Sequence, residues 1–421
     1  RPFSELLSRG RLFRAFYQCD SGWILVESSS PSANICNSSS IKIGCVDGAG
    51  HLACTVCAEA RLSLSRNESV DVLRKKIDQV DAKVVHLLND RASLAQRIGD
   101  SKSRSNQEVY APQREKEVLD RVRELNRGPL PAHAVSAIFR EIISACRSLE
   151  GPLVVAFFGA EATYTHLAAR EKFGSAANLR PTASIAEVFL EVSQGRAVFG
   201  VVPIENSTEG VVAHTLDQLV ESDLQINGEI FQDIHHNLLS RSGKAGDVQR
   251  IISHPQALAQ CRDWLARNFP SVPVEEVAST AHAAIKAASD SSLAAISSAM
   301  AKEVYSLQAV AVNIEDQGTN ITRFLAIGKT GMAPSGDDKT SLVFSVQDKP
   351  GVLHRMLQPF ARSRINLTKI ESRPIKKRPW EYLFFLDLRG HREQQAVKKA
   401  IAALEKNCSF LKVMGSYPSG R

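Results

Sequence analysis

The chain has 421 residues, 43% hydrophobic and 23% charged, which suits roughly two to four domains that each bury a core. No run of roughly 18 apolar residues occurs, which argues against a helical membrane span. The net charge of +7 is spread along the chain, so it points to anionic small molecules rather than to nucleic acid.

Residues 1–62 show no sustained periodicity and read as an irregular extension of unknown role. They carry Cys19, Cys36, Cys45, Cys54 and Cys57, while Cys146, Cys261 and Cys408 are scattered over the rest. That usage fits a reduced, cytoplasmic protein. Cys54 and Cys57 form a lone CxxC with no second pair in view, so no metal site is expected.

From Val70 the pattern changes. Val70, Leu73, Ile77, Val80, Val84, Leu87, Arg91, Leu94 and Ile98 alternate in steps of three and four, which predicts one long helix with a buried seam. A second helix is expected from about Pro112 and a third from about Pro131 to Leu149, closing an all-α domain over 63–150. Beyond Gly151-Pro152, short apolar runs (Leu153–Phe158, Ala197–Val202, Gln249–Ser253, Ser292–Ile296, Phe324–Ile327) alternate with helical stretches. They predict an α/β domain over 151–331 with a mainly parallel sheet. A linker follows to Asp338. Residues 339–415 read strand, helix, strand, strand, helix, strand, an α+β ferredoxin-like module.

Arg91 stands in the apolar seam, where a charge is costly unless paired. Lys102 lies 11 residues on, about 20° around the helix and roughly 16 Å along it, so both side chains can converge on one anion. Arg74 lies 17 residues before Arg91, roughly 25 Å away, and reaches the same ligand only from a second, antiparallel copy.

Leu73-Arg74-Lys75-Lys76-Ile77-Asp78 with Asp81, then Arg91, Lys102 and Pro112-Gln113-Arg114-Glu115, resemble the all-helical chorismate mutase domain. The resemblance implies that Arg74 (from a partner protomer), Arg91, Lys102, Arg114 and Glu115 line an active site. Arginines would clamp the carboxylates, Lys102 would donate to the breaking ether bond, and Glu115 would accept from the substrate hydroxyl. Glu150 stands where some members carry a donor Gln; donation by Glu150 would require a protonated carboxyl and a mutase rate that falls at alkaline pH.

Val202-Pro203-Ile204-Glu205-Asn206-Ser207-Thr208-Glu209-Gly210, Ser253-His254-Pro255-Gln256 and Asn320-Ile321-Thr322-Arg323-Phe324 resemble prephenate dehydratase, which implies two α/β lobes like a periplasmic binding protein, with prephenate in the cleft. Thr322 is then the expected general acid and Arg323 the partner of substrate carboxylates. Thr163, Thr165, Asn206, Ser207, Ser253 and Gln260 would orient substrate. The segment Gly159-Ala160-Glu161-Ala162-Thr163-Tyr164-Thr165 departs from the family pattern: Ala162 replaces a glycine and is strained by about 1 kcal/mol if φ is positive there. Asp348-Lys349-Pro350-Gly351-Val352-Leu353 and Glu371-Ser372-Arg373-Pro374 resemble the ACT module, which implies a phenylalanine site formed by Gly351, Val352, Leu353, Glu371, Ser372 and Arg373.

These resemblances together imply a feedback-controlled bifunctional enzyme that acts on chorismate and prephenate with L-phenylalanine as effector. It would be a homodimer or larger and need no metal or organic cofactor. A mutase with an impaired dehydratase domain, or a non-catalytic amino-acid sensor, are the competing readings.

Overall fold

A computed structural model describes residues 13–19, 22–28, 42–45, 69–104, 112–347, 349–374 and 382–420. The chain divides into two compact units, 1–85 and 86–421. In the first, β1 (Phe13–Cys19), β2 (Gly22–Ser28) and β3 (Lys42–Cys45) form an antiparallel sheet in that order. These strands lie within the segment that its sequence marks as an irregular extension, most of which lies outside the described residues. β1 and β2 pair from Phe13↔Ser28 to Cys19↔Gly22. The Cys54–Cys57 pair lies outside the described residues.

Helix α1 (Val70–Arg104) begins in the first unit and continues into the second. Its seam, expected to be buried, is about half exposed at Leu73, Ile77, Val80 and Val84, and again at Leu87, Leu94 and Ile98. In the second unit, α2 (Pro112–Leu125) packs on α3 (Ala132–Glu150). α1 reaches the end of α3 at Gly99, where a Cβ would stand 2.9 Å from Glu150 Cα.

The α/β domain has two lobes. The first contains β4 (Val154–Phe158), α4 (Tyr164–Phe173), β5 (Asn178–Thr182), α5 (Ile185–Ser193), β6 (Phe199–Asn206), the short β7 (Gly210–Val211), α6 (Ala213–Glu221) and β8 (Gln225–Asp233). The second contains β9 (Asn237–Ser240), β10 (Arg250–Ser253), α7 (Pro255–Gln260), α8 (Arg262–Asn268), β11 (Val274–Glu276), α9 (Thr280–Ser289), β12 (Leu293–Ser297), α10 (Ala299–Val304) and β13 (Gln308–Ala311). The chain then returns to the first lobe as β14 (Ile321–Gly328), giving sheet orders β5-β4-β6-β14-β8 and β11-β10-β12-β9-β13. Both sheets are mixed rather than mainly parallel. β14 runs antiparallel to β6 and β8, and β9 antiparallel to β12 and β13, because these strands carry the chain back between lobes.

The C-terminal domain runs β15 (Asp338–Val346), α11 (Val352–Arg362), β16 (Leu367–Pro374), β17 (Tyr382–Arg389), α12 (Gln395–Glu405) and β18 (Phe410–Pro418), with the antiparallel order β16-β17-β15-β18. Its sheet shares a core with the first lobe, where Val343, Phe385 and Met414 join Ile226 and Leu325. The approach is close enough that a Cβ at Gly415 would collide with the backbone of Ile226.

Candidate active sites and effector site

The helical domain folds Arg91, Lys102, Arg114, Glu115 and Glu150 around one cavity of about 250 Å³, floored by Leu94, Ala95, Ile98 and Val118. Lys102 Nζ lies 3.3 Å from Glu150 Oε2. The buried Arg147 donates to Glu115 Oε2 at 3.1 Å and also to the carbonyl of Phe173. Burial pushes the Glu115 carboxyl above the usual carboxylate value, against the opposing pull of Arg147. The result is a pocket with both cations and carboxylates on its walls. Arg74 lies in the other unit, exposed, with its guanidinium 3.6 Å from Asp71.

A larger cleft, about 680 Å³, lies in the α/β domain and is lined by Thr163, Thr165, Asn206, Gln260, Asn320 and Thr322 among others. Asn206 ends β6 and Thr322 sits opposite it on β14, in register. The backbone N–H groups of Thr208 and Glu209 donate to Asn206 Oδ1 at 2.9 and 3.1 Å, so its amide nitrogen faces the other way. That nitrogen donates to Thr322 Oγ1 at 2.8 Å and to Asn320 Oδ1 at 2.7 Å. Asn320 donates in turn to Gln260 Oε1 at 3.0 Å. Thr322 therefore accepts one hydrogen bond and keeps its own proton to give.

Arg323 follows Thr322 on the strand and so points to the opposite face of the sheet. There it is buried between Glu229 Oε2 at 2.8 Å, Asp387 Oδ2 at 2.7 Å and the Tyr417 hydroxyl at 3.0 Å. Asp387 and Tyr417 belong to the C-terminal domain, so adjacent residues serve the cleft and the domain junction. β16 binds the same lobe: Lys369 Nζ lies 2.7 Å from Glu205 Oε2, and Arg373 donates to Asp217 Oδ1 at 2.8 Å.

Family models match in three consecutive stretches: chorismate mutase type II over 73–151, prephenate dehydratase over 155–332 and the ACT domain over 340–406. The bifunctional chorismate mutase/prephenate dehydratase of Aquifex aeolicus is 49% identical over 355 residues, covering 83% of this chain and 98% of that protein. This chain belongs to the bifunctional chorismate mutase/prephenate dehydratase family. The Pseudomonas aeruginosa protein of the same name is 44% identical over 361 residues, covering 84% and 99% of the two chains. A solved prephenate dehydratase from Arthrobacter aurescens, in complex with L-Phe, is 32% identical with a TM-score of 0.59, covering 63% of this chain and 90% of that one.

Against the residues chosen from sequence, the mutase pocket gathers all those expected of it within the second unit. In the dehydratase, three choices lie elsewhere. Ser253 is fully buried and donates to Ile296 O at 2.7 Å, tying β10 to β12. Ser207 sits in the turn beyond β6, where its hydroxyl accepts from Ile321 N at 3.0 Å. Arg323 faces the ACT domain, because a strand side chain next to a cleft residue must face away from the cleft. Thr163 lines the cleft but is the N-cap of α4, accepting from His166 N. In the ACT domain, Gly351 adopts φ +72° and opens α11, followed by Val352 and Leu353. Glu371 and Arg373 share the less exposed face of β16, whereas Ser372 points to solvent.

Sequence reasoning passed over Arg147, although it stands four residues after Ile143 on the apolar face of α3, the same signal that singled out Arg91. It also passed over His236 and Tyr164, which stand behind Gln260. The conditional strain at Ala162 is present: φ is +61°. Its Cβ is wholly buried in the second lobe's core.

Proposed function

We propose that this chain works as the other members of its family do, with 63–150 as mutase, 151–331 as dehydratase and 339–415 as regulatory domain. The mutase converts chorismate to prephenate by a unimolecular rearrangement that needs no nucleophile and no proton transfer. The pocket must hold the folded dianion and stabilise charge on the ether oxygen as its C–O bond breaks. Arg91 and Arg114 clamp carboxylates, Lys102 donates to the ether oxygen and Glu115 accepts from the ring hydroxyl. Arg74 enters from a second copy of the chain. Glu150 acts here as the acceptor of the Lys102 ammonium, which orients that donor. A homodimer explains the exposed seam of α1, since apolar surface repeated along a long helix calls for a partner.

The dehydratase removes the carboxylate as CO2 and the ring hydroxyl as water, leaving phenylpyruvate. Thr322 donates to the departing hydroxyl, while aromatisation of the ring supplies the driving force. Asn206, Gln260 and Thr165 orient the substrate. The observation that carries this reading is the hydrogen-bond chain that leaves the Thr322 proton unspent in the cleft.

Phenylalanine acts at the ACT domain through Gly351–Leu353 and the β16 residues Glu371 and Ser372, with the free edge of β16 completed by the second copy. β16 pairs with β17, whose Asp387 holds Arg323, the neighbour of Thr322. Effector binding thus has a short covalent and hydrogen-bonded path to the cleft. Cys146, Cys261 and Cys408 are free thiols, in keeping with a cytoplasmic setting. No helix among the described residues is long and apolar enough to cross a membrane.

The test is to supply chorismate to the purified chain and follow prephenate and phenylpyruvate, with and without phenylalanine. Phenylpyruvate formation that phenylalanine suppresses supports the whole reading. Accumulation of prephenate alone overturns the dehydratase part, and a lack of response to saturating phenylalanine overturns the regulatory part.

A further inference from the structure

The hydrogen-bond chain in the cleft does not end at Gln260. His236 Nε2 lies 2.7 Å from the same Gln260 Oε1 that accepts from Asn320. An amide oxygen holds no hydrogen, so His236 must present Nε2–H and keep its lone pair on Nδ1. That lone pair faces the Tyr164 hydroxyl at 3.0 Å, whose single proton it shares with the His235 carbonyl at 2.7 Å, and the ring of Tyr164 stands edge-on to the imidazole. His236 is 2% exposed, and burial holds its pKa below the ordinary histidine value. It is gripped from behind, where Glu315 accepts from its backbone N–H at 2.9 Å and from His235 at 2.7 Å.

Every bond from His236 to Thr322 therefore has a fixed direction. His236 and Asn320 both donate to Gln260 Oε1. This commits the oxygen and leaves Gln260 Nε2 as the free end, buried with no partner among the described residues. At the other end the Thr322 proton is likewise uncommitted. Two donors are thus left in a cleft whose expected ligand carries two carboxylates and a departing hydroxyl. With the opposite tautomer the order fails. An Nε2 lone pair would draw the amide nitrogen of Gln260 toward it, Asn320 would then face an N–H₂ group, and Gln260 would be left with an oxygen, not an N–H, at its free end.

We infer that His236 is a positioning residue for the dehydratase: Thr208 and Glu209 orient the chain at its Asn206 end, and the Nε2–H of His236 locks Gln260 at the other, so that Gln260 Nε2 donates to the bound substrate. This deepens the proposed dehydratase reading and rests on it. His236 itself touches no reacting atom.

Gln places an N–H where Nε2–H stands; Leu places none. H236L is expected to lower the dehydratase kcat by about 10- to 100-fold, the usual effect of mis-aiming a donor, with the KM for prephenate changed less than threefold. H236Q should recover most of that loss. Mutase turnover by the same chain serves as the folding control and should be unchanged in both variants. A kcat for H236L within twofold of the unaltered protein overturns the inference, as does H236Q matching H236L while both retain mutase activity. If H236L also loses mutase activity, NMR of isotope-labelled histidine in the unaltered protein decides the matter. An Nε2–H tautomer upholds the inference and an Nδ1–H tautomer overturns it. Unaltered protein that makes no phenylpyruvate would instead refute the dehydratase reading, which keeps the two failures apart.

Discussion

Replacing Arg323 by Met separates two roles that the sequence does not distinguish. The guanidinium, Glu229 and Asp387 side chains are 9%, 0% and 10% exposed, so solvent screens their contacts little. In Arg323→Met, Glu229 keeps Lys339 at 2.7 and 2.9 Å and the Gly420 N–H at 3.0 Å. Among the described residues, the Asp387 carboxylate keeps only the Ser341 hydroxyl, at 2.5 Å. One buried carboxylate is therefore stranded rather than two. Breaking a buried pair costs about 3–5 kcal/mol, and the surviving Lys339 pair places this case near the lower end, about 3 kcal/mol. For a unit of this size that is about 6–12 °C in the melting temperature followed calorimetrically. The dehydratase KM for prephenate should hold, while inhibition by phenylalanine weakens. Adding Asp387→Leu should restore much of the stability, because the stranded charge is then gone. If R323M melts within 2 °C of the unaltered chain and raises KM instead, the guanidinium serves the substrate and the account of the domain junction is wrong.

Thr322→Val keeps the shape but removes the hydroxyl proposed to donate to the leaving group, so dehydratase kcat should fall by about 10²- to 10³-fold with mutase turnover intact; a loss under fivefold would refute its role. Because burial raises the Glu115 pKa, its acceptor form is lost as pH falls at a higher pH than for an ordinary carboxylate. The acid limb of the mutase pH–rate profile should accordingly lie above pH 4.5. The stability linkage has the opposite sign: the raised folded-state pKa favours the native state below the unfolded value, and that contribution fades as pH rises through the folded one. A mutase rate flat down to pH 4 would contradict the assignment. Ala162→Gly relieves about 1 kcal/mol of left-handed strain but removes a buried methyl worth about 0.8 kcal/mol. The melting temperature should therefore shift by under about 3 °C with both activities kept. Gly415→Ala forces the C-terminal sheet off the Ile226 backbone and should lower stability by about 1–3 kcal/mol, seen as a lower urea midpoint.

Periodicity and local chemistry determined much of this protein directly. The three-and-four spacing of α1 marks its length, Gly151-Pro152 ends the helical domain, and a charge in an apolar seam singles out Arg91, which lines the helical domain's cavity. Such signals are legible because they lie within one helix or one turn. The direction of a strand residue is less so. Thr322 and Arg323 stand side by side in one string, and only the pairing of β14 with β6, together with the ACT sheet packed behind it, sends one to the cleft and the other to the junction. Ser253 and Ser207 look like cleft hydroxyls for the same reason; where each proton goes depends on partners 43 and 112 residues away. The links behind Gln260 also come from distant parts of the chain, with Tyr164, His236 and Asn320 meeting only once the two lobes close around the cleft. Sequence determined which groups are present and on which elements. Tertiary structure decided which way each hydrogen bond points, because that direction depends on partners that no local pattern encodes.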